Sequence, residues 1–277
     1  MSVDNPFLCF IHIEKAGGMT MHQMLHHALP GYISPHPGFG EHLKADELEL
    51  LLRRWPLKIS GVGGHRMGAF LQYEAVLQRP IFYMTFLRDP IRRYMSSINW
   101  KKNIMSQAWT PESYVEEPYY HNFQCFRIAG ERSFEKARDI LLEKYSFVGL
   151  MEEFNRSLLL LQNEWPGKKL DVRYVKDNVK DYGTNEITWE SLSPETQERY
   201  RACNQEDIKL VEFVRQELWP RYLNRFPGNL AEKEQVFLAQ LKSYKVSPLL
   251  YLKQKGTNFL LGKVWQPLLF GREQPPI

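Results

Sequence analysis

The strongest constraint on the fold is an apolar run, Phe7 to Ile13, that breaks into Glu14-Lys15-Ala16-Gly17-Gly18-Met19-Thr20 and then resumes with a different period. In the second stretch Met21, Met24, Leu25 and Ala28 fall at i, i+3, i+4 and i+7, one stripe of a helix, and Pro30-Gly31 stops it. The pattern predicts a buried strand, a tight turn and a helix, which puts the turn at a helix N-terminus. Two adjacent glycines let backbone approach a ligand closely, the helix dipole favours an anion, and Lys15 adds a full positive charge. The turn is a candidate phosphate cradle. It is not a Walker A loop, in which the lysine follows the glycines, because here Lys15 precedes them. Nor is it a dinucleotide fingerprint, since Gly17-Gly18 is followed by Met19-Thr20-Met21. The plainer alternative is a strand-to-helix connection that uses glycine for tightness. Lys15, the Thr20 hydroxyl and the clean periodicity on either side favour the anion site.

The same alternation continues downstream. A Pro/Gly/His loop is expected over 30–40, then an amphipathic helix over 41–55 carried by Leu43, Leu48, Leu51, Leu52 and Trp55. Residues 58–62 read as a short strand ending in Gly63-Gly64-His65, and 67–78 as a helix. Ile81-Phe82-Tyr83-Met84-Thr85-Phe86-Leu87 is the clearest strand, bounded by Pro80 and by Arg88-Asp89-Pro90, and its apolar character on both faces places it mid-sheet. Residues 111–144 read as mainly helical, 147–150 as a fourth strand and 154–165 as a helix. A single long helix is expected over 194–219, with Tyr200, Leu210, Phe213, Val214 and Leu218 facing the core. Strands alternating with helices imply an α/β chain: a central parallel sheet, helices on both faces, and ligands at the carboxyl ends of the strands. The glycine turn, His65 and Arg88 each follow a predicted strand, so they should gather on one edge. Beyond Pro220 the chain mixes basic, Pro/Gly and aromatic patches without a motif. Residues 249–270 are expected to pack back on the domain as an amphipathic segment, with peripheral contact to a membrane or partner as the alternative. We read 1–220 as one domain and 221–277 as an extension packed on it.

Composition sets the remaining bounds. With 277 residues, 43% hydrophobic and 13% aromatic, the chain can bury a large core and is not a disordered one. A net charge of +4 is too small to imply nucleic-acid binding. Cys9, Cys125 and Cys203 lie far apart without CxxC spacing, which argues against a disulfide framework or a structural zinc and for reduced, mostly buried thiols. No stretch approaches the ~20 apolar residues of a membrane span, and the N-terminus lacks the basic region of a signal peptide. The expectation is a soluble, cytoplasmic protein with no transmembrane segment.

A second anion site is suggested by Arg88-Asp89-Pro90-Ile91-Arg92-Arg93-Tyr94-Met95-Ser96-Ser97. Pro90 suits the first helical position and Asp89 the N-cap before it. Ser96 lies two turns along, so a guanidinium and a hydroxyl can close on one phosphate. The alternative is a capped helix with a solvated basic face, to which Arg92, Arg93, Lys101 and Lys102 belong.

Together these motifs resemble those of sulfotransferases that use 3'-phosphoadenosine 5'-phosphosulfate (PAPS), especially the Golgi-type and bacterial carbohydrate sulfotransferases. Their first signature, H-I-x-K-[TAC]-G-G-[TS]-[ST], is matched by residues 12–20 except at Met19; their second, R-D-P-x-x-R-[FY] with a serine eight after the arginine, is matched by Arg88-Asp89-Pro90, Arg93-Tyr94 and Ser96. Weaker similarity runs through Asn122-Phe-Gln-Cys-Phe-Arg127, Phe147-Val-Gly-Leu150 and the helix over 204–213, so the resemblance covers roughly residues 5 to 219. It implies a P-loop-like three-layer sandwich in which Lys15, Ala16, Gly17, Gly18, Met19 and Thr20 hold the 5'-phosphosulfate and Arg88 and Ser96 the 3'-phosphate. Met19 lacks the side-chain hydroxyl many relatives place there, which implies weaker donor contact. His65 lies where uronyl and heparan-type 2-O-sulfotransferases carry a catalytic histidine, with Glu14 as reserve base; a hydrogen-bonded loop histidine is the alternative. His12 is expected to be packed within the first strand. His36, His42 and His121 are candidates for acceptor contact or plain surface histidines. Trp100, Trp109, Tyr119 and Tyr120 are candidates for stacking on sugar or for core. The implied acceptor is a carbohydrate, polysaccharide or glycolipid, and the scheme requires no metal. A P-loop-type ATP-dependent kinase and a non-catalytic nucleotide- or glycan-binding module are the competing readings.

Overall fold

The computed structural model describes residues 5–35, 42–175, 185–265 and 267–268. Its centre is β1 (Phe7–Ile11), buried along its length. In chain order there follow α1 (Gly18–Ala28), β2 (Tyr32–Ile33), α2 (Ala45–Arg54), β3 (Gly61–Gly64), β4 (Ile81–Leu87), α3 (Pro90–Asn103), α4 (Pro111–Val115), α5 (Phe123–Ala129), α6 (Phe134–Lys144), β5 (Tyr145–Leu150) and α7 (Phe154–Glu164). The chain ends with α8 (Pro194–Ala202), α9 (Gln205–Phe213), α10 (Trp219–Arg225), α11 (Leu230–Ser243) and α12 (Pro248–Leu260). The strands form one five-stranded sheet, order β2-β3-β1-β4-β5, every pair parallel.

Alternation along β1 shows why the sheet is covered on both sides. Leu8 and Phe10 enter a core with Met21, Met24 and Leu25 of α1 and Leu158 to Leu161 of α7. Phe7, Cys9 and Ile11 enter a second core with Leu48 and Leu51 of α2, Tyr73 and Trp55. The period of two sends successive side chains to opposite faces, and each face finds an apolar helical surface. The chain is therefore α/β with an all-parallel central sheet between helices. Order reverses around β1, whose chain neighbour β2 lies two strands away while β3 and β4 pair with it directly. The crevice of such a sheet lies at that reversal, outside the carboxyl ends of the strands.

Several expected elements take a different form. The loop predicted over 30–40 contains β2, which pairs with β3 through Tyr32 and Ile33. The strand predicted over 58–62 is β3 and begins three residues later, running through the glycines expected to follow it. Its glycines are there for room: a Cβ on Gly63 would sit 2.0 Å from the Tyr32 hydroxyl and 2.9 Å from the Phe10 Cβ. The helix predicted over 67–78 is two 3-10 turns, Ala69–Leu71 and Tyr73–Ala75, because Gln72 between them is left-handed (φ 56°). The single helix predicted over 194–219 breaks at Cys203-Asn204, where the buried Asn204 amide donates to the Tyr200 carbonyl. The chain then continues through a π turn, Val214–Leu218, into α10, and the wider turn admits Pro220 without ending the helical path. The extension over 221–277, which carries no motif, is largely helical over its described residues. Phe237 of α11 joins the first core and Leu261 after α12 the second. Among the described residues no helix is long and apolar enough to cross a membrane.

Candidate functional site

The turn after β1 is fixed from below. Ile13 and Ala16 are buried in the first core, and the Ala16 amide donates to the Ile13 carbonyl (3.2 Å). Between them Lys15 is left-handed (φ 68°), and Gly17 is again left-handed (φ 79°) at the N-cap of α1. Neither glycine is replaceable by the geometry. A Cβ on Gly17 would lie 2.6 Å from the Met151 sulfur, and one on Gly18 would lie 1.8 Å from His12 Nε2. α1 has no side-chain cap and no acidic residue in its first turn. Its leading amides and dipole thus face the turn without an internal negative partner, the arrangement that receives an anion. Lys15 Nζ lies 5.5 Å from the centre of the Trp100 ring. Thr20 is half-buried, while Met19 is exposed.

Arg88 joins the turn from the end of β4. Its guanidinium donates to the Lys15 carbonyl (Nη1 to O, 2.9 Å), tying the second motif to the first across 73 residues of sequence. Arg88 is clamped in turn by Gln124, which accepts from its main-chain amide and donates to its carbonyl, both at 2.9 Å. Gln124 is held in place because Asp207, fully buried, accepts from the main-chain amides of Gln124 (2.9 Å) and Cys125 (2.8 Å) and so caps α5. Asp89 caps α3 as expected, accepting from the Arg92 amide at 2.9 Å with Pro90 at the first helical position. Ser96 is half-buried two turns along α3; Arg88 turns its guanidinium to Lys15 and not to that hydroxyl. Burial lowers the Arg88 pKa from its ordinary value, with Glu152 opposing, and the group stays a cation at neutral pH.

His65 follows β3 directly and faces the turn. Its Nδ1 is 3.1 Å from the His12 carbonyl, and because a carbonyl only accepts, Nδ1 must carry the proton. Nε2 is then the basic nitrogen of the neutral ring. Glu14 Oε1 lies 3.5 Å from the same Nδ1, and Glu14 is gripped by both nitrogens of the Arg127 fork, at 2.6 and 3.2 Å. Burial acts to raise the Glu14 pKa, but His65 and Arg127 outweigh it and hold the carboxyl below its ordinary value. Glu14 is thus held as a carboxylate beside His65 Nδ1. Behind them lies a chain of rings: His65 stacks on His12 (centroids 3.9 Å), His12 Nδ1 is 3.1 Å from His22 Nε2, and His22 Nδ1 is 2.8 Å from the Tyr32 hydroxyl. Burial above all, then the neighbouring histidines, pushes His12 well down and His22 to about 3, so both remain neutral. His12 is packed as expected. A cleft of about 140 Å³ opens beside these rings, with His12, His22, Met19, Gly64, His65 and Arg66 on its walls.

The sequence-based residues thus divide. The glycine turn, Lys15 and Arg88 are in contact, and His65 stands beside them through His12 and Glu14. His42 packs on Phe70 and Phe126, and His121 bonds to the Val115 carbonyl (2.8 Å); His36 lies outside the described residues. Trp109 and Tyr120 are packed with Tyr114, Tyr119 is partly exposed, and Trp100 lies by Lys15. Sequence reasoning missed Gln124, Arg127, Asp207 and the ring chain through His22. The first two lie in Asn122 to Arg127, a stretch singled out in the sequence without an assigned role. Among the described residues no group of three or more His, Cys, Asp or Glu is arranged to hold a metal ion. The histidines here bond to one another and to Tyr32 instead.

The class these features define is an α/β protein whose parallel sheet ends in an uncapped helix terminus, two basic side chains and a histidine of fixed tautomer. No family model matches the chain, and no curated protein matches it in sequence.

Proposed function

We propose that the protein is a sulfotransferase that moves the sulfuryl group of PAPS to a hydroxyl of a carbohydrate, polysaccharide or glycolipid acceptor. The observation that carries this reading is the Arg88 to Lys15 bond, which joins the motif after β4 to the turn after β1 on one edge, with His65 at the end of β3 on the other side of β1. The strand order and the place of the turn after the central strand support a P-loop-like sandwich, the fold the resemblance implies.

In this scheme the amides of Gly18, Met19 and Thr20, with Lys15, receive the 5'-phosphosulfate, and Arg88 with Ser96 the 3'-phosphate. The acceptor oxygen attacks sulfur as its proton passes to His65 Nε2, and the bond from sulfur to the 5'-phosphate oxygen breaks. The electron pair leaves with the nucleotide, whose growing negative charge Lys15 and the helix terminus stabilise. Such transfers depend mostly on alignment and on fixed charges aimed at the shifting one. Glu14 stabilises the imidazolium that forms, and Arg127 keeps Glu14 ionised and in place. The cleft beside His65 offers the acceptor a path, with Met19 as an apolar wall.

The test is direct. Thermal shift with 3',5'-ADP, 5'-ADP and ATP should show the largest stabilisation by 3',5'-ADP, and sulfate should pass from labelled PAPS to members of a glycan and glycolipid panel. Stabilisation by ATP alone would make the chain a phosphotransferase. Donor binding without transfer to any acceptor would leave a binding module.

A further inference from the structure

The face of α12 that looks away from the domain is apolar. Leu249, Leu252, Phe259 and Leu260 recur along it at helical spacing, with Gly256 between, and all four side chains are exposed, Leu249 by 74% and Leu252 by 64%. What fastens this segment lies at its far end. Leu261 is buried in the second core, and Trp265 meets Trp55 edge to face at 6.0 Å. Single exposed apolar residues are ordinary on a protein surface; a continuous stripe is not.

Charge on this part of the chain is as one-sided as its hydropathy. Between Glu234 and Glu273 there is no Asp or Glu, while Lys242, Lys245, Lys253, Lys255, Lys263 and Arg272 supply six cations. Lys242, Lys245 and Lys255 are exposed. An apolar stripe bordered by lysines is the pattern of a helix that lies in the headgroup boundary of a bilayer, its lysine stems along the apolar region and their ammonium groups at lipid phosphate. At 13 residues α12 is too short to span the hydrocarbon core, so it lies on the membrane.

We propose that α12 docks the protein on an anionic phospholipid bilayer. A second copy is the poorer occupant, because a two-fold contact sets the same basic face against itself. A protein partner is poorer too, since protein interfaces favour arginine and disfavour lysine, and the cations of α11 and α12 are all lysine. α12 also packs against α1, the helix that follows the glycine turn. The docking itself does not depend on the sulfotransferase reading.

Sedimentation of the full chain with vesicles tests it, using phosphatidylcholine alone and phosphatidylcholine with added phosphatidylglycerol. The expected result is retention on the anionic vesicles only, weakened by salt. Leu252→Glu/Phe259→Glu should reduce it about tenfold or more, because it buries charge where the stripe inserts. Both positions are exposed, so circular dichroism and Tm should be unchanged; Lys245→Glu/Lys255→Glu, which spares every apolar contact, should weaken retention as well. Absence of binding to anionic vesicles, or retention of both double variants undiminished from that of the unaltered chain, overturns the proposal. So does a lipid-free dimer that Leu252→Glu/Phe259→Glu dissolves, in a chain that vesicles do not retain.

Discussion

His65 keeps its proton on Nδ1 because the His12 carbonyl can only accept. If the proposed function holds, His65→Ala lowers the rate of sulfate transfer by about 100-fold or more while leaving 3',5'-ADP affinity nearly unchanged. A steady-state assay beside a nucleotide titration reads both, and near-normal turnover would remove His65 from the chemistry. Gly18 makes a different statement. A methyl there would meet His12 Nε2, and His12 cannot swing aside because it is buried and bonded to His22. Gly18→Ala should cost about 2 kcal/mol or more, measured by urea denaturation, and His12→Ala in the same chain should recover much of that loss. The glycine pair was legible in the sequence as a tight turn at a helix N-terminus; that its second member leaves room for an imidazole was not, since the ring comes from His12 at the end of β1.

At the scale of elements, the buried cap of α5 holds the candidate site. Asp207 arrives from α9 and takes two amides of α5, and α5 sends Gln124 to Arg88 and Arg127 to Glu14. Asp207→Ala should cost about 2 kcal/mol of stability through the lost cap and the two orphaned amides. Under the proposed function it should also weaken 3',5'-ADP binding, because the Arg88 clamp loosens; calorimetric titration alongside a melt checks both. Elements with strong periodicity or clear end signals were legible, β4 in full and α3 at its capped start. Those decided by their neighbours were not. β2 is two residues long, β3 is mostly glycine, and the π turn before α10 has no sequence period of its own. In each the conformation is set by what packs across it, as Tyr32 and Phe10 show at Gly63.

At the scale of the whole molecule, the buried histidines couple stability to pH. Burial first and neighbouring rings second push His22 down to about 3 and, with His27 beside it, His26 to about 4. In the unfolded chain these groups take up protons near their ordinary 6.5, whereas the folded protein refuses them. The unfolded state then binds more protons between about 6.5 and 3, so stability is full above that window and falls as pH drops through it. Glu14, depressed below its ordinary 4.5, adds stability above that value that is lost as pH falls through its folded pKa. Tm should thus decline from pH 7 to pH 5, and His22→Gln should flatten that decline whatever it does to Tm at pH 7.5. A wild-type Tm constant over the interval would contradict the linkage. By itself the sequence determined the class of fold, the strand-turn-helix at β1, the capped helix after β4 and the edge on which Lys15, Arg88 and His65 meet, because local period, glycine and capping chemistry act within a few residues. Only the tertiary structure decided that Arg88 bonds to the Lys15 carbonyl, that Glu14 is held ionised by Arg127, and that α12 turns its leucines outward. Those outcomes depend on distances between segments remote in the chain, which no local pattern encodes.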